Sequence, residues 1–123
     1  MIRIGAADPG NELHGVETIA CPTCASGRRV QYVGQGHALV VHVRGVVGGG
    51  RRTLTIVFEC HGTRPLDVIV NGAPTVSLTL TGRGGWTAPA QTTLPIDLPA
   101  GDSVIRLFHP TLPAPDLDQF VIA

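Results

Sequence analysis

The sequence predicts an all-β domain, a β-sandwich of two antiparallel sheets, and two observations carry this prediction. Sixteen glycines and ten prolines interrupt a chain of 123 residues at short intervals, and Val, Ile, Leu and Thr fill the segments between them. These segments alternate apolar and polar residues with a period of two, and no segment shows the period of an amphipathic helix. We therefore predict a single domain, residues 1–123, which is long enough to bury a core.

The alternation indicates eight or nine short strands. In "TLTIVFE" (53–59), Leu54, Ile56 and Phe58 are predicted to face inward, with Glu59 outward. The Asn-Gly pair at 71–72 is the strongest hairpin signal in the chain. The predicted strands are 14–19, 29–33, 37–44, 53–59, 66–71, 76–81, 94–98, 103–109 and 117–122.

The connections between successive antiparallel strands fall at alternate ends of a sandwich. The turns at 45–51, 71–74 and 98–102 therefore share one end, and they are short and rich in glycine. The remaining connections share the other end and carry aromatic and hydrogen-bonding side chains. These are Tyr32, Gln35, His61, Arg64, Arg83, Trp86, His109 and Asp116.

The single tryptophan lies among glycines, in the predicted loop "TGRGGWTAP" (81–89). An indole displayed beside planar polar groups suits a sugar, because the C–H face of a pyranose packs on an aromatic ring and side-chain amides, carboxylates and guanidinium groups bind its hydroxyls. Each residue also has a structural interpretation. Trp86 could fold back as a lid, Tyr32 could lie half in the core, and Asp116 could cap a turn.

The composition argues against several other functions. Formal charge is zero and no run of like charges occurs, which disfavours nucleic acid or an anionic membrane as a partner. The chain contains no Gly-x-Ser-x-Gly elbow and no P-loop. Asp116 and Asp118 lie two residues apart on one face and could form a glycosidase pair, but a small sandwich with short loops offers only a shallow cleft. We therefore predict a binding function without catalysis.

The three cysteines indicate a disulfide more than a metal site. Cys21 and Cys24 form "CPTC", and no second CxxC or HxxxH motif completes a zinc ligand set. A local Cys21–Cys24 disulfide is predicted, and Cys60 is predicted to be a small buried apolar residue. The first ten residues lack a charged and then apolar leader, so we expect either an intracellular protein or a module of a longer secreted chain.

Five segments in order resemble carbohydrate-binding module family 35, particularly modules appended to α-galactosidases and related glycoside hydrolases. The resemblance begins near residue 6 and extends to the C-terminus. It rests on "CPTCASGRRVQYVGQG" (21–36), "RPLDVIVNG" (64–72), "TGRGGW" (81–86), "LPAGDSVIRL" (98–107) and "PTLPAPDLDQFVI" (110–122).

The resemblance implies a jelly-roll β-sandwich, similar to family 6 modules, that has no activity of its own and tethers an enzyme to glycans. Ligands of the family include galactosides, mannans and uronic acids. By position in the motifs, the implied ligand-binding residues are Tyr32, Gln35, Arg64, Trp86 and Asp116.

The resemblance also implies a structural calcium ion, and here the sequence departs from the family. Asp118 stands where the family places a C-terminal calcium ligand, but Gly5 and Ala7 occupy the positions of two N-terminal glutamates. Because calcium takes six to eight oxygen ligands, the sequence does not predict a complete site. Our prediction is a non-catalytic module for galactose-type or related glycans, secreted as part of a larger protein. The competing hypothesis is a structural or protein-interaction domain that docks through the Trp86 end.

Overall fold

The computed structural model describes all of residues 1–123, and the predicted all-β fold is confirmed. It contains no helix long and apolar enough to span a membrane. The strands are β1 (Ile2–Gly5), β2 (Glu12–His14), β3 (Glu17–Ala20), β4 (Arg28–Gln31), β5 (Ala38–Val46), β6 (Gly50–Cys60), β7 (Thr63–Val70), β8 (Val76–Thr81), β9 (Gly85–Leu98), β10 (Gly101–Phe108) and β11 (Asp116–Ile122).

The strands form two antiparallel sheets. One sheet has the order β3-β4-β11-β6-β9, with β1 also paired to β11, and the other has the order β2-β5-β10-β7-β8. Consecutive strands β5 and β6, and likewise β9 and β10, lie in different sheets, so the chain crosses between the layers several times. A sandwich closed in this way places the connections of both sheets at its two ends.

A single core of 25 buried apolar residues fills the space between the sheets. On β6, Leu54, Ile56 and Phe58 face this core as predicted from their alternation. Leu117 and Phe120 of β11 lie opposite them, and both are fully buried. Because these residues face inward, the residues that alternate with them on the central strands face outward.

The strand predictions were incomplete at the N-terminus. The predicted strand 14–19 is two strands, because the chain turns at Gly15, whose φ is +79°. β2 then pairs with β5 in one sheet and β3 with β4 in the other. The first strand, β1, was not predicted at all.

Trp86 lies in a strand and not in a loop as predicted. β9 begins at Gly85 and runs for 14 residues, whereas only its last part, 94–98, was predicted. β9 begins this early because its partner strand, β6, continues past a bulge after Phe58 and pairs Cys60 with Gly85. Trp86 is thereby held by a sheet and not by flexible glycines.

Glu59 was predicted to face outward into solvent, and the structure corrects this prediction. The side chain does point away from the core, but Glu59 has no exposed surface. The disulfide-closed segment 21–24 covers the outer face of the sheet at this point, with the sulfur of Cys24 lying 3.4 Å from Glu59 Oε1. A period of two predicts the face of a strand, but it does not predict a loop that covers that face.

Candidate functional site

All five residues predicted to bind a ligand line one open cavity at the end of the sandwich. Its volume is about 420 Å³, within the range of ordinary small-molecule sites. Two aromatic rings and several hydrogen-bonding groups face it, a combination that suits a polar ligand with an apolar face. The lining residues are Arg29, Gln31, Tyr32, Val33, Gln35, Arg64, Trp86, Pro113 and Asp116.

The segment that follows β4 presents Tyr32 and Gln35 in strained backbone conformations. Their φ angles are +68° and +52°, and only one other non-glycine residue of the chain has a positive φ. Such conformations are unfavourable for a bulky residue and concentrate at functional sites. Tyr32 is 57% exposed, so its ring belongs to the surface and not to the core.

The strained segment is fixed by backbone hydrogen bonds to the connection that precedes β11. The Gln35 N–H donates to the Leu112 carbonyl at 3.0 Å, and the Ala114 N–H donates to the Val33 carbonyl at 2.8 Å. Gly34 lies between them with a φ of +96°. The two connections therefore form one rigid wall of the cavity.

A Gly34→Ala substitution is expected to destabilise this wall. A Cβ at this position would lie 2.3 Å from the Leu112 carbonyl oxygen, and the positive φ adds strain. We expect the free energy of unfolding to fall by about 2 kcal/mol or more, measured by urea denaturation. Gly36→Ala is the matched control, because its φ is also positive but its Cβ would meet nothing closer than 4.0 Å. Equal losses in the two variants would contradict the steric explanation.

Trp86 is oriented by contacts on its ring and on its backbone. The guanidinium carbon of Arg64 lies 4.8 Å from the ring centroid, and that of Arg29 lies 6.0 Å away. Arg29 Nη1 also donates to the Trp86 carbonyl at 2.7 Å. The indole remains partly exposed at the cavity. It is a preorganised surface, so a ligand would not have to order it.

Arg29 and Asp116 form a largely buried ion pair at the base of the cavity. Arg29 Nε donates to Asp116 Oδ2 at 2.7 Å, and the two side chains are 13% and 9% exposed. Burial raises the pKa of Asp116, while the charges of Arg29 and Arg64 act in the opposite direction. The carboxylate is thus held in place by one arginine, with its other oxygen left for a second partner.

Arg64 is the second arginine of the cavity and has no carboxylate partner. Its Nη1 donates to the Ala114 carbonyl at 3.3 Å, and its guanidinium covers part of the Trp86 ring. Arg29 and Asp116 compensate each other, so Arg64 leaves the cavity with one excess positive charge. Its remaining N–H groups are available to ligand oxygens.

Three other residues of this end do not line the cavity. His61 is exposed, and Arg83 faces a separate depression beside Val57 and Gln91. His109 has a local structural role, because its Nδ1 accepts hydrogen bonds from the N–H groups of Thr111 and Leu112.

Sequence reasoning missed Arg29 and Gln31, two polar residues of the cavity. In "RRVQYV" they alternate with Val30, which is fully buried and pairs with Leu117 of β11. The same alternation puts them on the outer face beside Asp116. A buried carboxylate needs a cationic partner, and this requirement would have identified Arg29.

Known structures carry the same fold. No family model matches the sequence, and no curated protein matches it. A family 35 carbohydrate-binding module from Clostridium thermocellum superposes with a TM-score of 0.93 at 23% identity, covering 100% of this chain and 98% of that one. A family 35 module from Paenibacillus barcinonensis gives 0.88 at 18% identity, covering 100% and 98%.

The chain has the fold of a family 35 module. An exo-β-1,3-galactanase from Phanerochaete chrysosporium, solved with β-1,3-galactotriose, also matches, with a TM-score of 0.88 at 20% identity. The match covers 98% of this chain but only 28% of the galactanase chain. The fold therefore occurs both as an isolated module and as part of a longer enzyme.

The structural calcium of family 35 does not fit the residues of this chain. Asp118 lies beside β1, since the Ala6 N–H donates to its backbone carbonyl at 2.9 Å. Asp118 Oδ1 is buried and has no hydrogen-bond partner, as a metal ligand would be. Gly5 and Ala7, however, carry no side-chain oxygen. One carboxylate out of three does not make a calcium shell.

The predicted Cys21–Cys24 disulfide is present and lies beside the cavity. Cys21 Sγ is 3.9 Å from Arg29 Nη1, so the disulfide contacts the arginine that holds Asp116 and Trp86. Cys60 is unpaired and fully buried, as predicted. Burial raises the pKa of its thiol, which keeps it unreactive.

Glu59 is a buried acid that is expected to carry a proton near neutral pH. Burial and the neighbouring charge of Asp118 raise its pKa to about 7. The sulfur of Cys24 has no hydrogen in the disulfide, so the 3.4 Å contact is a hydrogen bond only when the Glu59 O–H donates. Glu59 Oε2 has no partner.

The Glu59 proton predicts a pH-dependent stability. The folded chain holds this proton more tightly than the unfolded chain, whose carboxyl has its ordinary pKa of 4.5. The stabilisation is therefore complete below pH 4.5 and is lost as the pH rises through about 7. We expect a loss of about 3 kcal/mol over this range, measured by urea denaturation.

Glu59→Gln should remove most of this pH dependence, because an amide keeps the shape of the protonated acid and does not ionise. Glu17→Gln, at an exposed position on β3, is the control and should retain it. An unchanged slope of stability against pH in Glu59→Gln would contradict the assignment.

Proposed function

We propose that the chain is a non-catalytic carbohydrate-binding module of family 35 and that its ligand occupies the cavity between Tyr32, Trp86 and Asp116. The observation that carries this proposal is the convergence of two surface aromatic rings, an oriented carboxylate and a guanidinium without a carboxylate partner around one open cavity. The whole-length match to family 35 modules supports it.

The chemistry of the cavity matches a sugar in detail. Trp86 and Tyr32 provide apolar surfaces for the C–H face of a pyranose. Asp116 and Gln35 accept hydrogen bonds from hydroxyl groups, and Arg64 donates them. The strained conformations of Tyr32 and Gln35 add support, since strain persists where the surrounding structure holds a residue for a function.

We further propose a galactose-type ligand, with mannans and uronic-acid glycans as the related alternatives. The galactanase solved with β-1,3-galactotriose contains this fold within a longer chain, which supports both the galactoside and a place beside a glycoside hydrolase in a longer parent protein. We propose that this parent protein is secreted. The excess positive charge at Arg64 favours testing uronic acids as well. Because a single sugar orders few groups in a shallow site, we expect a Kd of roughly 10 µM to millimolar.

Intrinsic tryptophan fluorescence tests this proposal directly, because the chain has one tryptophan. The protein is titrated with galactose, β-1,3-galactobiose, mannose, xylose, glucuronic acid and galacturonic acid, each with and without calcium. We expect a saturable shift with galactosides that does not depend on calcium. A shift with uronic acids only would overturn the galactose assignment but not the sugar site.

A flat response to the whole panel would contradict the proposal. The competing hypothesis, a domain that docks through the Trp86 end onto a protein or a second copy, would then gain support. Sedimentation velocity over a range of concentrations separates the two, because docking between copies predicts association and sugar binding does not.

A further inference from the structure

A second cluster of potential ligands lies beneath the 21–27 segment, beside the sugar cavity. Cys21, Cys24 and Glu59 each bring one ligand atom to it, and these atoms all lie within 4.8 Å of one another. The three residues are 1%, 7% and 0% exposed. The sequence did not predict a zinc site, because no second CxxC or HxxxH motif accompanies CPTC. In the folded chain, Glu59 of β6 supplies a carboxylate as a third ligand.

Two buried oxygens in this region have no hydrogen-bond partner. They are Glu59 Oε2 and Asp118 Oδ1, on residues that are 0% and 2% exposed. A proton on Glu59 removes its charge but leaves Oε2 without a hydrogen bond, and a bound cation would supply the partner that this buried oxygen lacks. This observation is independent of the cysteine spacing, and it points to a cationic ligand.

We propose that reduction of the Cys21–Cys24 disulfide converts this cluster into a zinc site, with two thiolates and the Glu59 carboxylate as ligands. CxxC is the spacing that zinc sites use, and zinc accepts Cys and Glu together in a tetrahedral shell. Water takes the fourth position. Zinc with three anionic ligands has a net charge of −1. The Arg29 guanidinium, which is already paired with Asp116, lies beside this cluster with its Nη1 3.9 Å from Cys21 Sγ.

A phosphine can reduce the Cys21–Cys24 disulfide to two thiols. The S–S bond takes up two electrons and breaks, the phosphine is oxidised to its oxide with oxygen from water, and the two protons of that water go to the sulfurs. Zinc then displaces both thiol protons, together with the Glu59 proton when it is present. A dithiol that is itself oxidised to a disulfide would also serve as reductant.

The fold permits a zinc ion to reach this site. Pro22, Thr23, Ala25 and Ser26 are exposed, so the segment that covers Glu59 is a surface connection and not part of the core. Local backbone hydrogen bonds, such as Gly27 N–H to the Cys24 carbonyl at 3.0 Å, close the segment on itself. A few side-chain contacts, among them Cys24 Sγ to Glu59 Oε1 and the Ala25 N–H to the Asp118 carboxylate, hold it on the sheet. Lifting this segment exposes the cluster without opening the sandwich.

Cobalt(II) is the probe that tests the proposal, because thiolate ligation produces charge-transfer absorption and tetrahedral geometry produces intense visible bands. The full chain carrying Cys60→Ser is used, so that only Cys21 and Cys24 supply sulfur. After reduction with a phosphine, we expect one cobalt per chain with both signatures, displaced by zinc. The oxidised protein should show neither.

Glu59→Gln distinguishes the folded site from two thiols alone. We expect cobalt affinity to fall at least tenfold in this variant and to stay unchanged in Glu17→Gln. No thiolate absorption in the reduced chain would overturn the proposal. Equal cobalt affinity in Glu59→Gln and the parent would also overturn it. This outcome covers a chain that unfolds on reduction, because the two thiols of an unfolded chain would bind cobalt without Glu59.

Discussion

Replacing Trp86 with alanine is expected to abolish measurable sugar binding while leaving the sandwich folded. The ring supplies the largest apolar surface of the cavity, and removing a central aromatic anchor typically costs 2 kcal/mol or more, roughly a thirtyfold loss of affinity. Starting from a weak complex, this places the variant beyond detection. Because the variant has no tryptophan, isothermal titration calorimetry with the best galactoside of the panel is the measurement.

Two controls define what the Trp86→Ala result means. Trp86→Phe keeps an aromatic face and should retain part of the affinity. Val47→Ala, at a 90% exposed position on the opposite end, should bind as the parent does. Far-ultraviolet circular dichroism verifies the fold of each variant. Parent-like affinity in a folded Trp86→Ala protein would contradict the site.

Replacing Arg29 with methionine is expected to cause the largest loss of stability. Methionine keeps the unbranched stem of the arginine side chain but not its guanidinium. It therefore leaves Asp116 as a buried charge without its 2.7 Å partner, and it frees the Trp86 carbonyl. Removing one member of a buried pair costs about 3 kcal/mol or more. We expect the thermal midpoint to fall by about 10 °C, measured by differential scanning calorimetry, and sugar affinity to fall with it.

The neighbouring arginine provides the matched control for this result. Arg28 is exposed and donates only to Thr18 Oγ1, so Arg28→Met should change the midpoint little. The double variant Arg29→Met/Asp116→Asn removes the unpaired charge and should regain part of the lost stability, but not the affinity. Full stability in Arg29→Met alone would show that the pair does not hold the base of the cavity.

Two regularities of antiparallel sheets allowed the fold, and the convergence of the candidate site residues at one end, to be predicted from the sequence. A period of two assigns each residue to a face, and antiparallel order assigns each connection to an end. These two rules placed Tyr32 and Asp116, which are far apart in sequence, at the same end, and the structure has both in one cavity. That they bind a sugar stays a prediction until it is measured.

What the sequence did not predict depends on contacts between distant segments. Glu59 faces outward by alternation, yet it is buried because the segment closed by Cys21 and Cys24 covers it. Trp86 follows glycines, yet it lies in a strand because β6 extends past a bulge to pair with Gly85. Alternation along one strand contains no information about what another segment places over it.

Mapping the ligand by NMR tests the central claim most directly. Two-dimensional ¹H–¹⁵N spectra of the labelled chain are recorded during titration with the best galactoside. We predict that the shifted signals cluster at Tyr32, Gln35 and the Trp86 indole. Shifts confined instead to Val70, Ala73 and Asp97, which line a smaller cavity elsewhere on the domain, would contradict the account.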